Sequence, residues 1–300
     1  MAKKSMNAYD SGEKDLEGVF GVESKIWGLQ TKLLVEQYLT QMYPQISGQI
    51  TLFSEGWDYR IYLTSSEMVI RVPKNPWSQT HLQYEMAKLH TLSLPLDIPH
   101  YIKTSGALGV YPFISGKDLR RTKPTNQVIQ QLAQFLRTLH QHTYLPQKMV
   151  INHHRHRWAK RFDLLYRDTQ EKIYPLLSIK EQRRTSHYFE QFLYDISQLS
   201  WPVSLIHGDL TPEHIIAENG LIKGIIDFGD MTVGDPAYDL AGIPAQWEKD
   251  ELAAYAHQID SEGHRWFYRQ VKFLHTILHG LEHGHVQDVE QAIEMFRKSI

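Results

Sequence analysis

Residues 205–240 read LIHGDLTPEHIIAENGLIKGIIDFGDMTVGDPAYDL, and this stretch holds the most informative pattern in the chain. It places a carboxylate, Asp209, after His-Gly, an imidazole, His214, five positions later, and a second carboxylate, Asp227, thirteen positions after that. Between them, the Asn219-Gly220 pair separates two apolar runs and predicts a β-hairpin turn. Because a hairpin reverses the chain, we expect Asp227 to return beside Asp209 and His214.

The spacing resembles the catalytic segments of protein kinases, in which an H-R-D-L-x-x-x-N loop precedes a D-F-G turn. This chain has His207-Gly208-Asp209-Leu210, then His214 at the Asn position, then Asp227-Phe228-Gly229. Two features resemble the aminoglycoside phosphotransferase family, the antibiotic kinases of the protein-kinase-like fold. One is Gly208 in place of the Arg, and the other is the downstream segment Gly234-Asp235-Pro236-Ala237-Tyr238-Asp239-Leu240-Ala241. Most members of the family carry Asn where this chain has His214. A His at this position is similar to the 2''-aminoglycoside and macrolide kinases, which carry His there.

The resemblance implies transfer of a phosphoryl group from ATP or GTP to a hydroxyl of a small molecule. Asp209 is implied to position and deprotonate that hydroxyl, and His214 and Asp227 to hold Mg²⁺. Mg²⁺ prefers oxygen ligands and imidazole suits transition metals, so we expect His214 to bind Mg²⁺ through water or to accept Mn²⁺. His207 and Asp239 are interpreted as supports of the catalytic loop, Asp239 through backbone N–H groups.

The first part of the chain predicts a nucleotide-binding lobe. Amphipathic and alternating patterns indicate a helix, three strands and a second helix, over 26–42, 49–54, 59–64, 68–72 and 79–92. Arg71 takes the place of the third-strand cation that contacts phosphates in the related kinases, and Glu85 that of its acidic partner. Gly56 lies in the turn that closes over the phosphates in such a lobe. Two alternatives remain open: Arg71 is an exposed strand residue and Lys74 makes the phosphate contact, or Glu85 is a solvated surface charge.

Two further strands, over 98–103 and 107–113, complete a predicted five-stranded antiparallel sheet. Residues 111–116 resemble the hinge between kinase lobes, so Tyr111 and Phe113 are candidates for the segment that contacts the nucleotide base. The predicted fold is an α+β, two-lobed protein-kinase-like fold. Its predicted parts are a loosely ordered arm, a nucleotide-binding lobe and a mainly helical catalytic and acceptor-binding lobe, over 1–24, 25–115 and 117–300.

The helical lobe is also expected to bind the acceptor. Periodic apolar positions predict helices over 126–141, 181–199, 246–258, 261–279 and 285–297. Candidate acceptor-binding residues on these helices are Glu248, Glu251, Trp247, Trp266 and Tyr268. An aminoglycoside, a polycation, would need the carboxylates, whereas a macrolide would suit the aromatic side chains. A metabolic hydroxyl compound is a third possibility, because the fold is shared with other kinases. The His- and Arg-rich run over 153–161 is interpreted as a solvated helix face.

The composition excludes several classes of protein. The chain has 300 residues, 42% of them hydrophobic, which is enough for a substantial core. A formal charge of −2 predicts no general attraction to nucleic acid or anionic membranes. There is no cysteine, which excludes disulfides and thiolate metal sites. No apolar run approaches the roughly 18 residues that span a bilayer, and the start, MAKKSMNAYDSGEKD, is unlike a secretory signal. We therefore expect a cytoplasmic protein.

A protein of another class, a pseudokinase that binds nucleotide and serves as a scaffold, also fits part of the pattern. The single glycine of the phosphate-covering turn, Arg71 and His214 would agree with it. The presence of both Asp209 and Asp227 favours an enzyme, since loss of these carboxylates is the commonest way to lose the chemistry.

Overall fold

The structure is a computed structural model, and it describes residues 32–46, 49–56, 58–102, 108–142, 148–198, 201–260 and 263–299. The predicted arm over 1–24, and residues 26–31 of the predicted first helix, lie outside them. The helices are α1 Lys32–Met42, α2 Pro76–Leu89, α3 Asn126–Gln141, α4 Lys148–Asp168, α5 Ile179–Ser197, α6 Ala237–Ala241, α7 Asp250–Ile259, α8 His264–His283 and α9 Val286–Ser299. The strands are β1 Ile50–Glu55, β2 Tyr59–Thr64, β3 Met68–Pro73, β4 Gly109–Pro112, β5 Lys117–Asp118, β6 Ser204–Ile206, β7 Ile215–Glu218, β8 Leu221–Ile225 and β9 Thr232–Gly234.

The chain forms two compact units. Within the described residues, one unit holds 32–138 and 211–231 and is called here the sheet unit. The other holds 139–210 and 232–299 and is called the helical unit. The predicted lobe boundary near Gly116 stays a prediction. None of the helices in the described ranges is both long and apolar enough to cross a membrane.

The main sheet of the sheet unit is antiparallel, in the order β1-β2-β3-β4. Its strands are rich in β-branched and aromatic residues, which suit a pleated, half-buried surface. β3 is flanked on both sides, and five of its six residues are buried. One side of the sheet packs with α1 around a core that includes Val35, Leu39, Ile70 and Val110. A charged residue, Arg71, therefore lies in the most buried strand of this sheet.

The main sheet has four strands among the described residues, one fewer than the sequence predicts. Residues 98–102 of the predicted fourth strand run beside β4 with one backbone hydrogen bond, from Ile102 N–H to Val110 O at 2.8 Å. They form no ladder because Pro99 has no N–H to donate and restricts the residue before it. The α+β class is confirmed, as is the helix over Asn126–Gln141.

The hairpin of β7 and β8 is confirmed. Asn219 has φ 52° and Gly220 has φ 78°, so both turn residues are left-handed, as in the tight turns that match the twist of a β-hairpin. The pairing ends with Ile215 opposite Ile225, two residues before Asp227. The hairpin is extended on its β7 edge by β5. This small sheet fixes where the chain emerges toward Asp227.

The helical unit is built around α8, whose buried residues Phe267, Val271, Leu274 and Leu278 recur at three- and four-residue spacing. Its core is largely aromatic, for example where Phe192 stacks on Phe267 with ring centres 3.8 Å apart. In the same unit β6 pairs with β9, with Leu205 opposite Val233. These two short strands lead directly into His207-Gly208-Asp209 and into Asp235.

We expect Gly220→Ala to lower the free energy of unfolding by about 1–2 kcal/mol, the cost of a left-handed L-residue. The new methyl group would meet only Thr125 Cγ2, at an ordinary 3.5 Å, so the loss would reflect backbone strain. Urea unfolding measures it. Asn219→Gly is the control, because glycine accepts the same φ and should leave the midpoint nearly unchanged. An unchanged midpoint for Gly220→Ala would contradict the turn geometry.

Candidate active site

Arg71 is the centre of the polar contacts in the sheet unit. It is 4% exposed, and its Nη1 lies 2.8 and 2.9 Å from the two carboxylate oxygens of Glu85. The same nitrogen lies 2.9 Å from Tyr101 Oη, which donates to Glu85 Oε1 at 2.8 Å. The guanidinium carbon also stands 4.3 Å from the centre of the Tyr59 ring. The predicted pairing of Arg71 with Glu85 is confirmed, whereas their contact with nucleotide stays a prediction.

Neither side chain lies in solvent, since Arg71 is 4% and Glu85 only 1% exposed, so the expectations of an exposed Arg71 and of a solvated Glu85 are wrong. A phosphate contact by Lys74 stays an open alternative. Burial works to lower the pKa of Arg71, but the Glu85 carboxylate, with smaller effects of Tyr101 and Asp227, overcomes it and raises the pKa well above its usual value. The guanidinium is therefore permanently charged. Loss of either partner would leave a buried charge unpaired, and an unpaired buried charge costs several kcal/mol because it has lost its contact with water.

Asp227 meets this ion pair from the end of the β7–β8 hairpin. Its Oδ1 lies 3.4 Å from Arg71 Nη2, and its Oδ2 lies 3.6 Å from His214 Nε2. His214 ends a short 3₁₀ turn, Pro212–His214, and its C=O accepts the Ile226 N–H at 2.9 Å. That hydrogen bond joins His214 to Ile226, the residue directly before Asp227. The structure thus brings together four predicted residues: Arg71, Glu85, His214 and Asp227.

Asp227 has the features of a residue held for contact with a ligand. Its side chain is half exposed, and its backbone has φ 64°, a left-handed conformation that is uncommon for a residue other than glycine. Strained residues of this kind concentrate at active sites and ligand clamps. Among the described residues, no group of three or more His, Asp or Glu side chains is arranged to hold a metal ion. Asp227 and His214 would therefore share a divalent cation with water or phosphate oxygens, as Mg²⁺ commonly requires.

Three other predicted nucleotide-binding residues lie on the same unit. Gly56 donates its N–H to Tyr59 O at 3.0 Å, and its C=O accepts a hydrogen bond from Lys74 Nζ at 2.7 Å. The turn is therefore held to the start of β2 and to the residue that follows β3. Tyr111 is buried on β4, its ring 5.1 Å from that of Tyr101. The ring of Phe113, just after β4, meets the exposed ring of Phe53 at 5.9 Å. Their contact with a nucleotide stays a prediction.

The loop that carries Asp209, the predicted catalytic loop, is fixed inside the helical unit by Asp239. One carboxylate oxygen accepts the backbone N–H of His207 at 2.8 Å, and the other accepts that of Gly208 at 2.9 Å. His140 Nε2 lies 3.0 Å from the same carboxylate, and the Tyr255 hydroxyl lies 2.7 Å from His140 Nδ1. The predicted anchoring of the loop through backbone N–H groups is therefore present.

Burial alone would raise the pKa of Asp239. The hydrogen bond to His140, the nearby imidazoles of His140 and His207 and the Gly208 N–H outweigh burial and hold this pKa below its usual value. Asp239 is therefore an ionised, fully buried carboxylate whose three contacts come from the loop and from His140. Such a carboxylate is a rigid clamp for the backbone that precedes Asp209.

Asp209 itself is accessible. Its side chain is 44% exposed, and its Oδ1 lies 3.1 Å from Lys272 Nζ. The preceding Gly208 has φ 87°, a conformation that glycine adopts without strain and that turns the chain after β6. Asp209 lies in the helical unit and His214 and Asp227 lie in the sheet unit, and their predicted convergence on one nucleotide stays a prediction.

The predicted acidic acceptor residues are engaged within the helical unit. Glu248 forms ion pairs with both Arg265 and Arg269. Glu251 lies in the first turn of α7, where a carboxylate is favoured by the helix dipole. The charge of Glu248 is thus largely neutralised by the protein itself.

The predicted aromatic acceptor residues differ in exposure. Trp247 is 5% exposed, and Tyr268 is fully buried, with its hydroxyl donating to Asp235 Oδ2 at 2.9 Å. Trp266 is 43% exposed and packs against the ring of Tyr188, with ring centres 4.5 Å apart. Of the three, Trp266 presents the most surface to a ligand. All three assignments stay predictions.

Several residues of these contact sets were not identified from the sequence. Tyr101 follows an irregular, proline-containing segment, and His140 lies in the last turn of a helix read only for its apolar face. Lys272 follows Asp209 by 63 positions on a helix with many polar residues. No local pattern marks them, because each contact depends on how distant elements pack.

The fold and the contact sets together define a protein of the kinase-like class, with an antiparallel sheet in one unit and mainly helices in the other. The model of the phosphotransferase enzyme family (APH) matches residues 49–274. The chain belongs to this family. The sequence-based resemblance is therefore confirmed.

Solved structures show the same fold. The chain is similar to the GDP complex of wild-type aminoglycoside 2'-phosphotransferase-IIIa, with 22% identity, 90% of this chain and 98% of that chain covered, and a TM-score of 0.74. It is also similar to macrolide 2'-phosphotransferase type I, with 19% identity, 89% and 97% covered, and a TM-score of 0.65. A curated relative, the uncharacterized protein YcbJ of Bacillus subtilis (strain 168), is 40% identical over 68 residues, which are 22% of this chain and 22% of YcbJ.

Glu85→Ala is expected to destabilise the protein by about 3–5 kcal/mol, because it leaves the Arg71 guanidinium buried and unpaired. Glu218→Ala, which breaks the exposed pair with Lys223 at 3.7 Å in the same unit, should cost at most about 1 kcal/mol. Denaturant unfolding of both variants makes the comparison. Equal losses in the two proteins would mean that the buried pair has no special weight.

Proposed function

We propose that this protein is a kinase that transfers the γ-phosphoryl group of ATP or GTP to a hydroxyl group of a small molecule. The observation that carries the proposal is the contact set in which the strand cation Arg71 is fixed by buried Glu85 and reaches Asp227 at 3.4 Å. Membership of the phosphotransferase enzyme family supports it. The similarity to a GDP complex supports a purine nucleotide as donor and keeps GTP beside ATP.

In the proposed reaction the acceptor hydroxyl oxygen forms a bond to the γ-phosphorus, and the bond from that phosphorus to the β,γ-bridging oxygen breaks. The nucleoside diphosphate leaves, and the acceptor proton passes to the Asp209 carboxylate and then to solvent. Arg71 binds phosphate oxygens with a fixed, permanently charged guanidinium. Catalysis in such reactions rests mainly on positioning and charge stabilisation.

We propose that Asp227 and His214 hold a divalent cation, Mg²⁺ or Mn²⁺. When bound, this cation neutralises the charge of the nucleotide phosphates. Asp227 supplies the oxygen donor that Mg²⁺ prefers, and the imidazole, 3.6 Å from it, suits Mn²⁺ better. Metal binding without nucleotide should therefore be weak, since the protein contributes only two side chains.

The acceptor is proposed to be an antibiotic-like hydroxyl compound, with an aminoglycoside as first candidate because of the similarity to an aminoglycoside phosphotransferase. One observation favours a macrolide as the second candidate. Glu248 is neutralised by two arginines and Asp209 is accompanied by Lys272, so fewer free carboxylates are available for a polycation than the sequence suggests. A panel of kanamycin, gentamicin and erythromycin, each with ATP and GTP, separates these candidates by nucleoside diphosphate production.

The alternative of a nucleotide-binding pseudokinase predicts a different result with the same panel. It predicts nucleotide binding with no turnover above the uncatalysed rate for any acceptor or for water. Half-exposed Asp209 and Asp227 with charged partners support an enzyme.

Asp209→Asn should lower turnover by about 10²- to 10⁴-fold, the usual contribution of a catalytic base. Nucleotide affinity should stay within about twofold, because the nucleotide contacts are proposed for the other unit. Steady-state kinetics and equilibrium nucleotide binding give the two numbers. A variant that keeps wild-type turnover would refute the role of Asp209.

For Asp227→Ala we expect loss of the metal-dependent part of nucleotide affinity. Titration of ATP and GTP, with Mg²⁺ and with chelator, should show a large difference in the wild type and little in the variant. Asp230→Ala, three residues further along the same loop, is the matched control and should keep the metal dependence. Retained metal dependence in Asp227→Ala would place the cation elsewhere.

A further inference from the structure

Lys272 is the cation that accompanies the proposed catalytic carboxylate. Its Nζ lies 3.1 Å from Asp209 Oδ1, within hydrogen-bond distance of an ammonium group and a carboxylate. It comes from the middle of α8, the central helix of the helical unit. A rigid helix therefore supplies a charge to a residue that lies on a loop.

The surroundings of Lys272 hold the ammonium group in place. It lies 5.7 Å from the centre of the Tyr238 ring, within the range of a cation–π contact. A Cβ on Gly242 would lie 3.0 Å from Nζ and would also collide with the Leu210 carbonyl, so the absence of a side chain there makes room for both. Leu210 directly follows Asp209, so the same gap accommodates the catalytic loop and the lysine.

Lys272 carries its charge throughout the usual pH range. Burial works to lower the pKa of Lys272, but Asp209, Tyr238 and Asp239 outweigh burial and raise this pKa. His275, one turn further along α8, does not compete for Asp209 as a second cation. Burial, together with the charges of Arg161 and Lys272, lowers the pKa of His275 to about 3.

We propose that Lys272 is a positioning residue for the phosphoryl transfer: it holds Asp209 through Oδ1, which keeps the carboxylate in one orientation toward the acceptor hydroxyl, and it keeps the carboxylate ionised. The inference rests on the proposed function, because it acts through Asp209. An untethered, half-exposed aspartate would sample several rotamers, and a displacement of about 1 Å can reduce turnover by about 10²-fold.

The test compares Lys272→Met, Lys272→Arg and Lys172→Met with the wild type. Lys172 is a close match, since its Nζ lies 2.9 Å from Glu282 Oε1 and its side chain is 26% exposed, against 23% for Lys272, yet its partner is not a proposed active-site residue. The probes are MgATP and MgGTP with water as the acceptor, and then with the best acceptor of the antibiotic panel. Turnover, nucleotide KM, the pH profile of kcat and thermal melting are measured for each protein.

Lys272→Met is expected to lower kcat by about 10- to 100-fold with nucleotide KM within about twofold. Its acidic limb of the kcat–pH profile should move to higher pH, because an adjacent ammonium group favours an ionised carboxylate. Lys272→Arg should recover part of kcat and keep the wild-type limb. Lys172→Met should match the wild type in turnover and in pH profile.

A Lys272→Met protein with wild-type kcat and pH profile would overturn the inference, as would a loss of kcat that Lys272→Arg does not relieve and that leaves the acidic limb in place. If Lys272→Met does not fold, Lys272→Gln replaces it, and failure of both neutral variants would make the lysine a stability residue and overturn the inference. Asp209→Asn is run in parallel. Wild-type turnover in Asp209→Asn would refute the proposed function instead, whatever Lys272 does.

Discussion

A guanidinium inside an apolar sheet must be paired, and this constraint organises the sheet unit. Arg71 lies on the most buried strand, so its charge needs a partner from another element, and α2 supplies Glu85. The Tyr101 hydroxyl accepts a hydrogen bond from Arg71 Nη1 and donates one to Glu85 Oε1. Nη1 makes the contacts with Glu85 and Tyr101, and Nη2 of the same guanidinium lies 3.4 Å from Asp227 Oδ1. The proposed metal ligand thus lies beside a buried cation whose orientation is fixed by its pairing with Glu85.

In the helical unit the buried charged groups are carboxylates, and hydrogen bonds compensate their burial. Asp239 is ionised and buried, so its oxygens take the backbone N–H groups of His207 and Gly208 and the imidazole of His140. Asp235 is likewise buried, and it accepts hydrogen bonds from the Tyr268 hydroxyl and the Ala237 N–H. Both aspartates follow β9 closely, so one short segment supplies two anchors. A loop that carries a reactive group gains rigidity from such anchors without being buried itself.

The sequence predicted those features that depend on local pattern. The left-handed Asn219-Gly220 turn is encoded by two adjacent residues, and the helix over 126–141 by an apolar stripe, so both were found. The predicted fifth strand is wrong because Pro99 has no N–H for a sheet ladder, although apolar residues flank it. Arg71 and Glu85 were paired correctly through resemblance to kinases, since strand and helix patterns alone left both exposed alternatives open. Lys272 was missed because its contact arises only when α8 packs beside the loop.

A common arrangement underlies the two contact sets. Asp209 and Asp227 are roughly half exposed and so are accessible to a ligand, whereas Asp239, Arg71 and Glu85, which support these two segments, are almost fully buried. Each exposed carboxylate has one oxygen near a cation, at 3.1 Å for Asp209 and 3.4 Å for Asp227, and the cation comes from a helix or a strand rather than from a loop. A cation on a regular element restricts the rotamer of the carboxylate that it contacts. Because exposed ion pairs add little stability, these two pairs contribute to the orientation of the carboxylates rather than to the stability of the fold.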